Sequence, residues 1–349
     1  MQNRQIRTKS VKDVMTAMLT AVLAVAVTSC DLRPLYIEGE TPVEVLVLTD
    51  WTQLGGDPTG STICFYPEDQ GKTPLTFKTN SVTRTVVNVP SGYYTVQVFN
   101  RTVDEFGTMR FTGMESLSTV RAILEEKLFS WVGRADTVGR TVYEPEEIVV
   151  GRADHFYVRT IGERTTSLRT KADSGSGMEI DSVQVTPQRV RYAGTVSVRI
   201  HGIHNIRSMR AYLTGMAGEA YLATRSAGET LATHVLESWR LDRDTGDYTK
   251  GWVRGEFHCF GLPDQYKGDR RAENNRLVLE FRLVDNKTVI RRIVEAGAMV
   301  DQNEAERTDN IVVETAIVLP DVKPEEGSES GFDVTFTDWD DPIDIPVGI

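Results

Sequence analysis

Apolar residues alternate with period two along much of this chain, and that pattern limits it to sheets. Leu277, Leu279, Phe281 and Leu283 share one side of an extended segment. Val289, Arg291 and Ile293 repeat the spacing, as do Ile311, Val313, Thr315 and Ile317. Successive strand side chains point to opposite faces, so such alternation marks a sheet with one face on a core. The same pattern predicts strands over 43–48, 62–66, 75–78, 85–89, 93–99, 147–150, 155–158, 180–185, 195–200, 210–213 and 252–260. Turn residues separate the runs. At Pro90-Ser91-Gly92, proline presets φ and glycine supplies a positive φ. Tyr94, Val96 and Val98 then share one face, with Tyr93, Thr95, Gln97 and Phe99 on the other. Many short strands so spaced predict an all-β chain, an antiparallel sandwich or barrel. Residues 120–131 read as one short helix or an irregular strand. No helix longer than about two turns is expected in the second half.

The first 29 residues stand apart from this pattern. Arg4, Arg7, Lys9 and Lys12 precede an apolar run, Val14 to Val27, broken only by Thr16 and Thr20. That run has 14 residues, whereas a bilayer span takes about 20. A basic start and a short apolar run make a secretory leader. Val27-Thr28-Ser29-Cys30 follows and resembles the bacterial lipobox, with an aliphatic residue, two small residues and an obligatory cysteine. The resemblance implies cleavage before Cys30 and diacylglycerol on its thiol. Two or three acyl chains, at ~0.8 kcal/mol per buried CH₂, would hold the mature chain on a membrane.

The mature chain, Cys30 to Ile349, has 320 residues. At roughly 100–200 residues each, that suggests two domains. The segment 164–177 is polar, with Leu168 its one large apolar residue, and is the expected linker. Residues 30–163 would then form the first domain and 178–323 the second. An acidic spacer and a further strand occupy 324–349. Net charge is −11 overall; the leader carries four bases and one acid, so the mature part is at −14. Nucleic-acid binding needs a basic footprint and is excluded. Cys64 and Cys259 are too far apart in sequence to form a disulfide scaffold and read as small buried hydrophobes.

The residues that could carry chemistry do not assemble into a centre. His201 and His204 would face opposite sides of a strand, with no third ligand nearby. His258 and Cys259 are adjacent and so cannot share a strand face. Asp338, Asp340 and Asp341 lack the glycine and distal glutamate of a calcium loop. Asp242, Asp244 and Asp247 with Gly246 form a hairpin turn. Phosphate-binding glycine loops, G-x-S-x-G and H-E-x-x-H are all missing. No enzyme, cofactor or metal site is expected.

Past the acidic spacer, Phe332, Val334 and Phe336 fall on one face, and Trp339 follows. This is strand sequence after the second domain should have closed, and it marks these four residues as a candidate partner strand. The order of motifs along the chain is informative. Asp50-Trp51 ends a strand after the lipobox; Cys64-Phe65-Tyr66-Pro67-Glu68-Asp69 and Pro90-Ser91-Gly92-Tyr93-Tyr94 follow, then Phe99-Asn100. The second half has Leu213-Thr214-Gly215-Met216-Ala217-Gly218 and Asn274-Asn275, and Phe332-Asp333-Val334 through Asp338-Trp339 closes the chain. In this order they resemble the fimbrillin-like lipoproteins of Bacteroides and relatives, of fimbrial anchor type, over nearly the whole mature chain. The resemblance implies two tandem transthyretin-like β-sandwich domains. It also implies a non-enzymatic role in a surface pilus at the outer membrane, with other fimbrial subunits as partners.

In the stalk subunits of that family, a protease cuts after an arginine and removes the first strand. The C-terminal strand of the next subunit fills the groove by strand addition. This chain departs from that pattern. Arg33 is the one base between Cys30 and the first strand, and Pro34 follows it. The first strand should therefore stay, as an anchor or accessory subunit requires. The tail could pair with an edge of its own second domain or be donated to a neighbour; the first is favoured. The competing function is a surface lipoprotein binding glycan or host protein, for which Trp131, Trp239 and Trp252 are the side chains to inspect.

Overall fold

The computed structural model describes residues 41–69, 71–132, 137–164, 180–268 and 270–324. Cys30, Phe332, Val334, Phe336 and Trp339 lie outside the described residues. Within them the chain builds five sheets. The front sheet has the order β10 (Asp181–Val185), β1 (Val43–Thr49), β4 (Arg84–Val89). The central sheet runs β11 (Gln188–Arg189), β9 (Val149–Val158), β5 (Gly92–Asn100), β2 (Ser61–Pro67), β3 (Leu75–Thr79). A bridging sheet runs β15 (Ser226–Ala227), β14 (Glu219–Tyr221), β7 (Arg121–Leu124), β6 (Met109–Thr112). The strapped sheet runs β20 (Val289–Glu295), β19 (Arg276–Leu283), β13 (Ile206–Ala217), β16 (Leu231–Leu236), β8 (Arg140–Val142). The terminal sheet runs β17 (Ser238–Asp244), β18 (Asp247–Cys259), β12 (Tyr192–His201), β22 (Thr308–Val318), β21 (Val300–Asn303).

Front and central sheets close the first sandwich over Val45, Val47, Phe65, Val96, Val98 and Val183. Tyr94, Val96 and Val98 face this core together, as their alternation requires. The opposite face of β5 is buried too. Cys64, Tyr66 and Phe99 meet Ala122, Leu124 and Ala220 of the bridging sheet. The second sandwich packs Val196, Val198 and Ile200 of the terminal sheet on Leu277, Leu279 and Phe281 of the strapped sheet. A strap over 129–132 covers the outer face of the strapped sheet, with Phe129, Trp131 and Val132 against Tyr212, Val235 and Val278. The Arg210 guanidinium lies 4.3 Å from the Trp131 ring centre. The all-β sandwich fold expected from sequence is what the chain adopts.

The expected start of the second unit at 178 needs correction. β10 pairs with β1 through Val45–Asp181 to Thr49–Val185, and β11 pairs with β9. Both belong to the first sandwich, so the chain crosses over only after Arg189. Alternation identifies a strand but not the sheet it joins. The two halves also exchange strands: β7 pairs with β14, and β8 with β16. Residues 121–124, left open between helix and strand, are the strand β7. Among the described residues pairing is mostly antiparallel, and three pairs, β1/β10, β12/β22 and β8/β16, are parallel.

The sequence motifs turn out to be structural pins. The Trp51 indole donates to the Val82 carbonyl at 3.0 Å. The Tyr94 hydroxyl donates to the Pro90 carbonyl at 3.0 Å, closing the Pro-Ser-Gly turn. The Asn100 amide donates to the Glu147 carbonyl and accepts from the Val149 amide, each at 2.9 Å. Two distant motifs meet where the Asn275 amide donates to the Thr214 carbonyl at 2.9 Å and the Thr214 hydroxyl accepts from the Arg276 amide. Gly215 sits there at φ 79°, and a Cβ would collide with the Asn274 carbonyl. Only glycine meets both demands.

His234 on β16 is fully buried, and its ring nitrogens have no well-formed partner. Burial pushes the imidazole down to about 4, offset in part by the Ala217 backbone. The unfolded chain therefore takes up a proton near pH 6.5 that the folded chain refuses until about pH 4. Stability is greatest above pH 6.5 and falls through that window, by about 3 kcal/mol at its acid end. Urea melts at pH 7 and pH 4.5 should show a smaller acid loss in His234→Leu than in the parent chain. An equal loss would assign the acid sensitivity to other groups.

Candidate interaction site at the first strand

β1 is the first described strand, and it lies in the middle of its sheet. It pairs with β4 from Val43–Val89 to Leu48–Arg84 and with β10 on the other side. Val43, Val45 and Val47 point into the first core. Alternation puts Glu44, Leu46 and Leu48 on the outer face. Beyond the strand, the Asp50 amide donates to the Val185 carbonyl at 3.0 Å, and the Thr49 amide to the Thr83 carbonyl at 3.1 Å.

The start of β1 is held by a buried charge cluster. Arg164 donates to the Glu44 carbonyl at 2.9 Å and to Asp181 at 2.6 Å. Arg159 binds the same carboxylate through its backbone amide and its guanidinium. The Arg164 and Asp181 side chains are only 2% and 6% exposed. At that depth an ion pair depends on its hydrogen bonds; both terminal nitrogens of Arg164 are used, and its Nε is buried without a partner. Asp181 opens β10, so this cluster fixes β10 beside β1. Sequence reasoning placed Arg164 at the edge of a linker, and nothing in its polar surroundings marks it as buried.

The other nominated side chains come together less. His204 faces Asp321 at 3.4 Å and Tyr248, while His258 pairs with Glu144 at 3.0 Å. Cys259 donates to the buried Asp309 carboxylate at 3.0 Å, and burial drives its thiol well above the ordinary range. Burial pushes Cys64 up to about 11. Neither thiol is a nucleophile at neutral pH, since the thiolate is the reactive form. Among the described residues no cluster of three or more metal-ligating side chains occurs.

Trp131, Trp239 and Trp252 do not form an open platform. Trp131 is stacked under Arg210. The Trp239 indole donates to the Leu236 carbonyl, and Arg199 lies over Trp252. The exposed ring cluster is one that sequence reasoning missed. Tyr93 lies 4.5 Å from His155 and 4.6 Å from Tyr157, centre to centre. The rings turn their faces to one another across β5 and β9, as cross-strand aromatic pairs do. The edge strand β17 carries charges: its Asp242 pairs with its own Arg240 and with Arg254 of β18, and its Asp244 pairs with Arg199 of β12. Charged edges resist unplanned strand pairing.

Comparison with known proteins adds the following. The family described as a domain of unknown function, DUF5119, matches residues 29–237. That match ends one residue past β16, the last strand of the second half that pairs with the first. No curated protein sequence matches. A candidate adhesin from Bacteroides ovatus superposes with a TM-score of 0.54 at 16% identity, covering 84% of this chain and 98% of that one. The fimbrial anchor protein Mfa2 from Porphyromonas gingivalis gives 0.45 at 10% identity, over 79% and 90%. A candidate adhesin from Bacteroides thetaiotaomicron gives 0.43 at 11%, over 72% and 78%. The Bacteroides ovatus structure shares this fold.

Asp181→Ala should cost about 3–5 kcal/mol, because it leaves Arg164 buried without its carboxylate. Urea denaturation of the two proteins measures this. A loss under 1 kcal/mol would mean that solvent reaches Arg164.

Proposed function

We propose, for a chain that belongs to the DUF5119 family, the role of a non-enzymatic fimbrial or adhesin-type surface subunit, tethered to the outer membrane through lipid on Cys30. The observation that carries this reading is the seat of β1. The strand is paired on both sides, buried and pinned at each end. A subunit that surrendered it would lose the middle of a sheet. Arg33, the one base ahead of β1, precedes proline, which disfavours cleavage there. Keeping β1 keeps the lipid joined to the fold, as an anchor or accessory subunit needs. The fold shared with the Bacteroides ovatus structure, described as an adhesin, supports a surface role. The lipobox and the motif order support the fimbrial one. Other fimbrial subunits, engaged by strand addition, are the partners this reading requires.

The C-terminal segment belongs to the same proposal. β21 pairs with β22 only from Thr308 to Ile311. Past that point Val312 and Val318 are exposed on β22. Phe332, Val334, Phe336 and Trp339 supply an apolar strand of the kind that would cover such an edge, in preference to being donated to a neighbour.

Two experiments test these statements. Cys30→Ala should leave the protein without acyl mass and shift it from the membrane to the soluble fraction. Identical acyl mass and fractionation in both proteins would sink the tether. Deleting residues 326–349 should lower the melting midpoint of the protein alone. An unchanged midpoint, with loss of binding to a partner subunit, would make the tail a donor.

A further inference from the structure

The path of tension through the fold follows from two pairing registers. β1 begins at Val43, on the side of the chain that leads back to Cys30. β10 runs parallel to it, from Asp181 to Val185, and the two-residue β11, paired with β9, separates it from β12. Tension on the N-terminus pulls β1 backward along its own axis. The second sandwich pulls β10 forward. Forces of opposite sense on two adjacent parallel strands act along the strands, across every inter-strand hydrogen bond at once.

The second sandwich repeats the arrangement. β12, its first strand, is parallel to β22, its last, from Ala193–Thr308 to His201–Val318. Tension entering at Tyr192 and leaving after Val318 shears this pair in the same way. Each sandwich therefore has its first strand beside a parallel strand near its exit; in the first sandwich only the two-residue β11 follows β10. Bonds sheared together share the load, whereas bonds at a peeled end break one at a time. The pinning cluster of Arg164, Asp181 and the Glu44 carbonyl sits at the loaded start of β1, where peeling would begin.

We propose that the β1/β10 and β12/β22 pairs are two shear-loaded joints in series, which let the chain carry tension from its membrane end to its C-terminal end. This rests on the tether at Cys30 and on a partner or tail engaged beyond Val318. The strength of the joints is a property of the fold and is measured without lipid.

Single-molecule pulling on the mature, unacylated chain tests it. With handles at the two chain termini, rupture should release roughly 40–50 nm per sandwich, from ~3.5 Å per residue. The rupture force should be several-fold higher than in a control with handles at Pro42→Cys and Ser91→Cys. Those positions flank the Val43–Val89 pair, so that geometry peels β1 from β4. Equal melting midpoints of the two proteins establish that the control is folded. Equal or lower force in the end-to-end geometry would overturn the proposal. Mass spectrometry of Cys30 reports separately on the tether, so either can fail without the other.

Discussion

The pairing of β10 with β1 is the contact on which the rest of the architecture depends. It brings a segment from beyond residue 180 back to the first strand. It thereby closes the front sheet, and it sets where the chain crosses to the second sandwich. The pairing alone does not place β10. A buried carboxylate held by Arg159 and Arg164 fixes it at one end, and the Asp50 amide reaches the Val185 carbonyl at the other. Strand register decides which face each side chain meets, so a shift of one residue would move Val183 and Val185 out of the core. The charge cluster opposes that shift, because moving Asp181 would pull its carboxylate away from both arginines.

The central sheet explains much of what the sequence left open. Alternation in β5 assigns Tyr94, Val96 and Val98 to one side and Thr95, Gln97 and Phe99 to the other. It does not say that both sides are covered. The second cover is the bridging sheet, assembled from β6 and β7 of one half and β14 and β15 of the other. Its strands are two to four residues long, too short for periodicity to register. The turn motifs were legible because proline, glycine and asparagine act locally, as Tyr94 on Pro90 and Asn100 on Glu147 illustrate. The strap carrying Trp131 was not legible: its apolar residues follow no period, and its role is set by the sheet face beneath it.

The candidate site divides along the same line. Cys30 is proposed from the sequence alone, because a processing signal is read in linear order. The seat of β1 depends on β4 and β10, which lie about 40 and 135 residues further along the chain, and no local pattern encodes their meeting. Buried polar groups mark where packing has overridden local preference. Gln97 is fully buried with its amide unpaired, as is the Tyr66 hydroxyl beside Cys64, and burial drives that phenol upward. Such groups oppose folding unless water reaches them. They lie between layers contributed by different parts of the chain, which is where a choice suited to one layer is least able to suit the next.

The shared strands between the halves set an order of events as the polypeptide emerges from its N-terminus. β1 to β5 can pair among themselves early, but β7 must wait for β14 and β8 for β16. Until residue 236 has appeared, β7 lacks β14 or β8 lacks β16, and each unpaired edge is bare. Nascent chains in that interval expose the surfaces through which two copies would trade strands. A chaperone that shelters the chain until β16 arrives would act at the step where this fold is most open to error.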